Sequence, residues 1–231
     1  VNSEKSHLFY PRIAASILAF FFLILIVLFF LVSLGLIGIA FRKLGFPPEY
    51  SILILFLSLL GSHINIPIKR IESQVPVSSG AVIDFYGLRY VIPPVKVKRR
   101  TIIAINMGGA VIPVIISVFL MLKANLAEVV FGVAVMSILI HMIARPVKGL
   151  GIAVPALLPP LMSATVALLL SPQNAPIIAY ISGTLGSLIG ADLLNLGKIP
   201  ELGTPVASIG GAGTFDGIFL TGIISVLLAG I

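Results

Sequence analysis

The chain has 231 residues, 58% of them hydrophobic and 10% charged, with a formal net charge of +7 and no cysteine. A soluble domain carries about 25% charged residues, so the composition excludes an ordinary water-soluble globule and predicts a surface that faces mostly lipid. The missing cysteines exclude disulfides, thiolate nucleophiles and Cys-based metal sites. The basic residues sit between apolar runs, where they suit anionic lipid headgroups and topology control rather than nucleic acid.

A membrane-spanning helix needs about 20 mainly apolar residues. The first such run, 13–41, is too long for a signal-peptide core of about 7–15 residues and lacks a small-x-small cleavage site, so it predicts a first span. Further runs cover 50–68, 102–122, 126–143, 151–170, 176–194 and 206–231. They are separated by breaker chemistry at Gly45-Phe46-Pro47-Pro48, Lys123-Ala124-Asn125, Arg145-Pro146, Ser171-Pro172-Gln173-Asn174 and Gly197-Lys198-Ile199-Pro200. Pro155, Pro159 and Pro160 predict a kink or interruption in the fifth run. The glycine-rich stretch 209–213 predicts a non-helical or re-entrant start to the seventh, tolerable at membrane depth only under cover of protein or water.

Residues 69–100 are polar and mixed, with β-branched and aromatic residues broken at Gly87 and then alternating Val95-Lys96-Val97-Lys98. They predict a β-hairpin-like insertion outside the bilayer. The expected fold is therefore one membrane domain over 1–231, an all-α polytopic protein of about seven transmembrane helices with a small β-rich cytoplasmic lobe.

Charge orients this arrangement. Seven spans put twelve Lys and Arg on the N-terminal side and three, Arg42, Lys43 and Lys123, on the other. Cytoplasmic loops carry the excess of Lys and Arg, so the chain is expected in the cell membrane as a multi-pass protein with its N-terminus cytoplasmic and its C-terminus outside.

A carboxylate in hydrocarbon is costly and marks a working site. Asp192 stands in Leu188-Ile189-Gly190-Ala191-Asp192-Leu193-Leu194, and Asp216 in Gly213-Thr214-Phe215-Asp216-Gly217. His63 sits nearly 20 Å along the second span at about 1.5 Å per residue, and His141 lies at the cytoplasmic end of the fourth. The four groups fall at similar depth near the cytoplasmic face. Each also has a plainer reading. His63 would be an interfacial histidine bonding a backbone carbonyl, and His141 a headgroup-level residue one turn from Arg145. Asp192 would bond a packed helix with the help of Asn195, and Asp216 would be an N-cap. Glu128 is expected as an exposed helix-start carboxylate, and Asp84 in a turn or surface pair of the lobe.

Three chemistries fit the cluster. Two adjacent carboxylates sharing one proton, Asp192 and Asp216, can activate water against a peptide carbonyl. Two imidazoles and two carboxylates, His63, His141, Asp192 and Asp216, can hold a divalent metal such as zinc. Buried Asp and His beside broken helices can instead couple a proton or cation to transport. The lead expectation is an intramembrane hydrolase, a peptidase acting on a transmembrane peptide, with a proton- or cation-coupled transporter, a small ion its partner, second and a non-catalytic membrane scaffold third.

Gly190-Ala191-Asp192 and Phe215-Asp216 resemble the Gly-x-Gly-Asp and Tyr-Asp motifs of presenilin and signal-peptide-peptidase proteins, and Pro155-Ala156-Leu157 resembles their Pro-Ala-Leu motif. Here Ala precedes Asp192, Phe replaces Tyr, and the motifs run in reverse order. Phe215-Asp216-Gly217 is also similar to the metal-ligand Leu-Asp-Gly of site-two proteases, without their His-Glu-x-x-His. Over most of its length the chain resembles a family of prokaryotic, archaeal-type polytopic membrane proteins with a domain of unknown function. That likeness is carried by Gly61-Ser62-His63-Ile64-Asn65-Ile66-Pro67, Ala144-Arg145-Pro146, Gly190-Ala191-Asp192-Leu193-Leu194-Asn195-Leu196 and Gly210-Gly211-Ala212-Gly213-Thr214-Phe215-Asp216-Gly217. It implies a membrane fold and no particular activity.

Overall fold

The computed structural model describes residues 12–76, 82–85, 88–91, 96–147, 149, 151–211 and 217–231. Helices dominate the described residues, and three helical stretches are long and apolar enough to cross a membrane: Phe22–Lys43, Leu126–Ile143 and Pro172–Lys198. The first lies within α1 (Arg12–Lys43), 32 residues and so about 48 Å long. Its large side chains from Phe22 to Val32 are all exposed, and packing begins only at its end, where Ala40 and Phe41 are fully buried. A surface of this length and apolarity is compatible with a membrane span.

Four of the seven apolar runs are only partly helical. α2 (Pro48–Gly61), α3 (Ile112–Met121), α5 (Leu158–Leu170) and α8 (Gly217–Ala229) have 14, 10, 13 and 13 residues. At 1.5 Å per residue they reach about 15–21 Å, short of the roughly 30 Å hydrocarbon core. The second run leaves helix at Gly61 and enters strand β1 (Asn65–Pro76). The third begins as the end of strand β4 (Lys96–Asn106), passes a π-helical turn at Met107–Val111, and only then becomes α3. Short apolar stretches rich in Ile suit a buried strand as well as a helix, and here Ile103 and Ala104 are buried within the strand. The fifth run starts extended, and α5 begins with a proline in its first turn, where the missing N–H leaves no bond unmade.

β1 pairs antiparallel with β4 from Asn65↔Asn106 to Pro76↔Lys96, so the expected insertion limits, 69 and 100, fall inside these strands. β4 pairs parallel with β7 (Val206–Ile209), giving the order β1-β4-β7. β2 (Val82–Phe85) and β3 (Leu88–Val91) form a separate pair with Asp84 opposite Arg89 in register. A third pair joins β5 (Arg145–Val147) and β6 (Gly151–Ala153).

The helical core is built round α6 (Ala175–Ser187), ten of whose thirteen residues are buried. α3, α4 (Leu126–Ile143), α5 and α8 pack on it, and the end of α1 packs on α8, enclosing Phe41, Leu120, Val129, Ile178, Tyr180, Phe219 and Val226. Glu128 lies in the first turn of α4 as expected, but it is half-buried rather than exposed. Small residues allow the helices to approach backbone to backbone, the usual device where lipid supplies no hydrophobic drive between helices. A Cβ on Gly186 would overlap Met136 Cβ, and one on Gly190 would stand 2.5 Å from the Ser137 carbonyl oxygen. Gly186→Ala is therefore expected to cost about 1–3 kcal/mol by overpacking, seen as a lowered Tm in detergent. An unchanged Tm would show that α4 and α6 are not tightly seated.

Candidate functional site

α6 does not run on regularly to Lys198. It passes into a π-helical turn at Leu188–Asp192, a 3₁₀ segment at Leu193–Lys198 and then the single turn α7 (Ile199–Leu202). Such turns loosen the ladder of backbone bonds and recur at functional sites. Asn195, almost fully buried, serves the loosened carbonyls: its Nδ2 donates to Gly190 O at 3.1 Å and to Ala191 O at 2.9 Å. Its Oδ1 accepts from Lys198 Nζ at 2.8 Å. His141 Nδ1 lies 3.3 Å from Gly190 O and 3.3 Å from Asn195 Nδ2. In one tautomer it donates to the carbonyl and in the other it accepts from the amide.

Asp192 ends the π turn. Its Oδ2 accepts a hydrogen bond from the Gly210 backbone N–H at 2.7 Å, which ties the broken end of α6 to the turn after β7. Gly210 and Gly211 have φ of 85° and 100°, left-handed values that suit glycine. Gly210 also sits tight on the other π turn, since a Cβ there would come within 2.6–2.8 Å of Gly109 and Ala110. Gly210 thus links the π turn that carries Asp192 to the π turn at Met107–Val111.

A polar network secures this junction. Asn106, 1% exposed, donates from Nδ2 to Ser62 O at 2.6 Å and to Asn65 Oδ1 at 3.1 Å, while its Oδ1 accepts from Gly109 N–H at 2.8 Å. Ser208 Oγ donates to the same Asn65 Oδ1. The network joins α2, β1, β4, β7 and the first π turn, and no chemical motif in the sequence announced it. A buried Asn between Ile105 and Met107 is its only local signal.

Asp192 lines a cavity of about 480 Å³ walled by Gly151–Ala153 and the chain that follows, by the broken end of α6, by Val206–Ile209 and by the start of α8. Among the described lining residues Asp192 carries the only charge, and Ser187 supplies a buried hydroxyl. Ser33, Ser117, Ser137 and Thr165 each donate to the carbonyl four residues back in their own helices. Ser187, 5% exposed, has no hydrogen-bond partner among the described residues. Sequence reading missed it, because a serine at a helix end has no signature of its own.

The four expected site residues fall in different places. Asp192 is at the cavity. His141 touches the π turn through Gly190 and Asn195 but is not among the cavity-lining residues. His63 is exposed at the end of α2, where Nδ1 donates to Leu59 O at 3.1 Å. Asp216 lies outside the described residues, although Gly211 and Gly217, on either side of that segment, both line the cavity. No group of three or more His, Asp or Glu among the described residues could hold a metal ion.

The chain belongs to the family described as "Protein of unknown function (DUF1614)", whose model matches residues 59–228. No curated protein and no solved structure matches it.

Proposed function

We propose that this member of the DUF1614 family is an intramembrane peptidase in which Asp192 and Asp216 act as a carboxylate pair at one cavity. One observation carries the reading: Asp192 and both chain neighbours of the Asp216 segment, Gly211 and Gly217, line the same 480 Å³ space. Asp216 adjoins Gly217 in the sequence, and that adjacency supports assigning the second carboxylate to this cavity.

In the proposed reaction one carboxylate takes a proton from water as its oxygen adds to the peptide carbonyl carbon. The protonated partner gives its proton to the carbonyl oxygen. The resulting diol then collapses: the C–N bond breaks, the amine takes the proton that came from water, and one hydroxyl returns its proton to the other carboxylate as the carbonyl re-forms. The dyad is preferred to a zinc site because no three-residue ligand group is assembled among the described residues, and both histidines have backbone carbonyls within reach. In this reading the chain is a multi-pass membrane protein that crosses about seven times, the short helices crossing with help from the strands and turns that precede them. The 69–100 segment and the N-terminus are cytoplasmic, the C-terminus is outside, and anionic headgroups meet the basic loops.

The test is cleavage of a quenched fluorescent transmembrane peptide by the protein in bicelles, with and without chelator. Chelator-resistant cleavage that disappears in both Asp192→Asn and Asp216→Asn supports the dyad. Cleavage abolished by chelator would replace it with the metal reading. The break in α6 at Asp192 favours a second reading, a proton- or cation-coupled transporter. Ion flux in proteoliposomes that is lost in Asp192→Asn, without any peptide cleavage, would establish that instead.

Ser187 offers a further check. Removing an unpaired buried hydroxyl relieves a penalty of about 1–3 kcal/mol, so Ser187→Ala is expected to keep or raise Tm. Turnover should nevertheless fall about tenfold if the hydroxyl holds a reacting group, which is one lost hydrogen bond's worth. Equal turnover would show that Ser187 has no part in the reaction.

A further inference from the structure

We infer that the cavity is a strand-addition slot, in which an extended peptide lies between the edges of β6 and β7 with its backbone hydrogen-bonded to one or both. β7 has β4 on one side and no strand on the other among the described residues, and β6 has β5 on one side only. All four residues of β7 and all three of β6 line the cavity. Successive side chains of a strand point to opposite faces. A space that meets every consecutive residue of both strands therefore runs along their edges, where backbone N–H and C=O groups without a strand partner stand, although the Ser208 carbonyl already accepts from the Gly211 N–H at 3.3 Å. Neither strand contains proline, and Pro155 and Pro205 bracket the usable lengths.

The three residues of β6 and four of β7 along the cavity offer edges as long as a short extended segment. The remaining walls are mostly apolar, including Ile199, Leu202 and Ile218 beside the hydroxyls of Ser187 and Thr221, and the one charge among the described lining residues is the Asp192 carboxylate. The occupant is thus an extended, apolar peptide segment without acidic side chains. The same geometry answers a chemical difficulty. A transmembrane helix shields its carbonyls inside its own hydrogen bonds, whereas a strand laid along β7 presents a carbonyl beside Asp192.

This inference deepens the peptidase reading and rests on it for the substrate class, but binding can be measured apart from cleavage. The probe is a capped pentapeptide of Val, Ile and Ala, titrated into the full-length Asp192→Asn chain in detergent, beside a twin N-methylated at alternate amides. Strand addition uses backbone N–H groups, so the twin is expected to bind at least tenfold more weakly. Ala153→Trp, which puts an indole on an exposed β6 residue of the cavity wall, is expected to abolish binding while keeping Tm. Equal affinity for the two peptides, no binding at all, or full binding to Ala153→Trp would each overturn the inference. If the wild-type chain discriminates between the peptides yet never cuts a transmembrane substrate, the slot stands and the peptidase reading falls. If it cuts without discrimination, the peptidase reading stands and the slot falls.

Discussion

Asp192→Asn is expected to lower peptide cleavage by at least about a hundredfold while leaving the fold intact. A positioned acid–base group contributes about 10²–10⁴ to rate, and an amide can neither take nor share the proton. The substitution is nearly isosteric, and the Asn side-chain oxygen can still accept from the Gly210 N–H that Asp192 holds at 2.7 Å. Tm in detergent should therefore hold while turnover collapses. Turnover within a few fold of wild type would remove Asp192 from the chemistry. A large fall in Tm would instead assign it the plainer role of a packing carboxylate.

The second large effect is expected at Gly210. A side chain there adopts a left-handed backbone, costing about 1–2 kcal/mol, and its Cβ would press on Gly109 and Ala110 at 2.6–2.8 Å, adding about 1–3 kcal/mol. Gly210→Ala is therefore expected to lose about 2–5 kcal/mol of stability and to move the N–H that orients Asp192, so cleavage and Tm fall together. Unchanged Tm and turnover would mean that the turn after β7 is not the fulcrum of the site.

Rise per residue is regular, so apolar runs and charge bias gave Asp192, His63 and His141 similar expected depths, a distance along the chain and not a geometry of contact. Rotation about each helix axis, about 100° per residue, depends on which neighbour a face packs against, and no periodicity in runs apolar on all sides reports it. That is why His141 could be placed near the Asp192 turn, which it touches at Gly190, while the exposed attachment of His63 to Leu59 was legible only as its plainer alternative.

Secondary structure failed where composition serves two masters. The stretch Ile102–Ile105 is apolar enough for a span and β-branched enough for a strand, and its pairing with Val206–Ile209, about a hundred residues away, decided between them. The π turns at Met107–Val111 and Leu188–Asp192 are one-residue departures in register that leave no hydrophobic period. Within the stretch 209–213, expected to open the last run without helix, the described Gly210 and Gly211 do lie in a non-helical turn.

The central claim, that Asp192 and Asp216 serve one cavity, can be tested without any substrate because the chain has no cysteine. The double variant Asp192→Cys/Asp216→Cys provides the only two thiols, and a disulfide requires Cβ atoms about 3.5–4.5 Å apart. Mild oxidation in membranes is predicted to join them rapidly, read as a mobility shift reversed by reductant. Thiols that both label freely after oxidation, with no bond formed between them, would contradict the account.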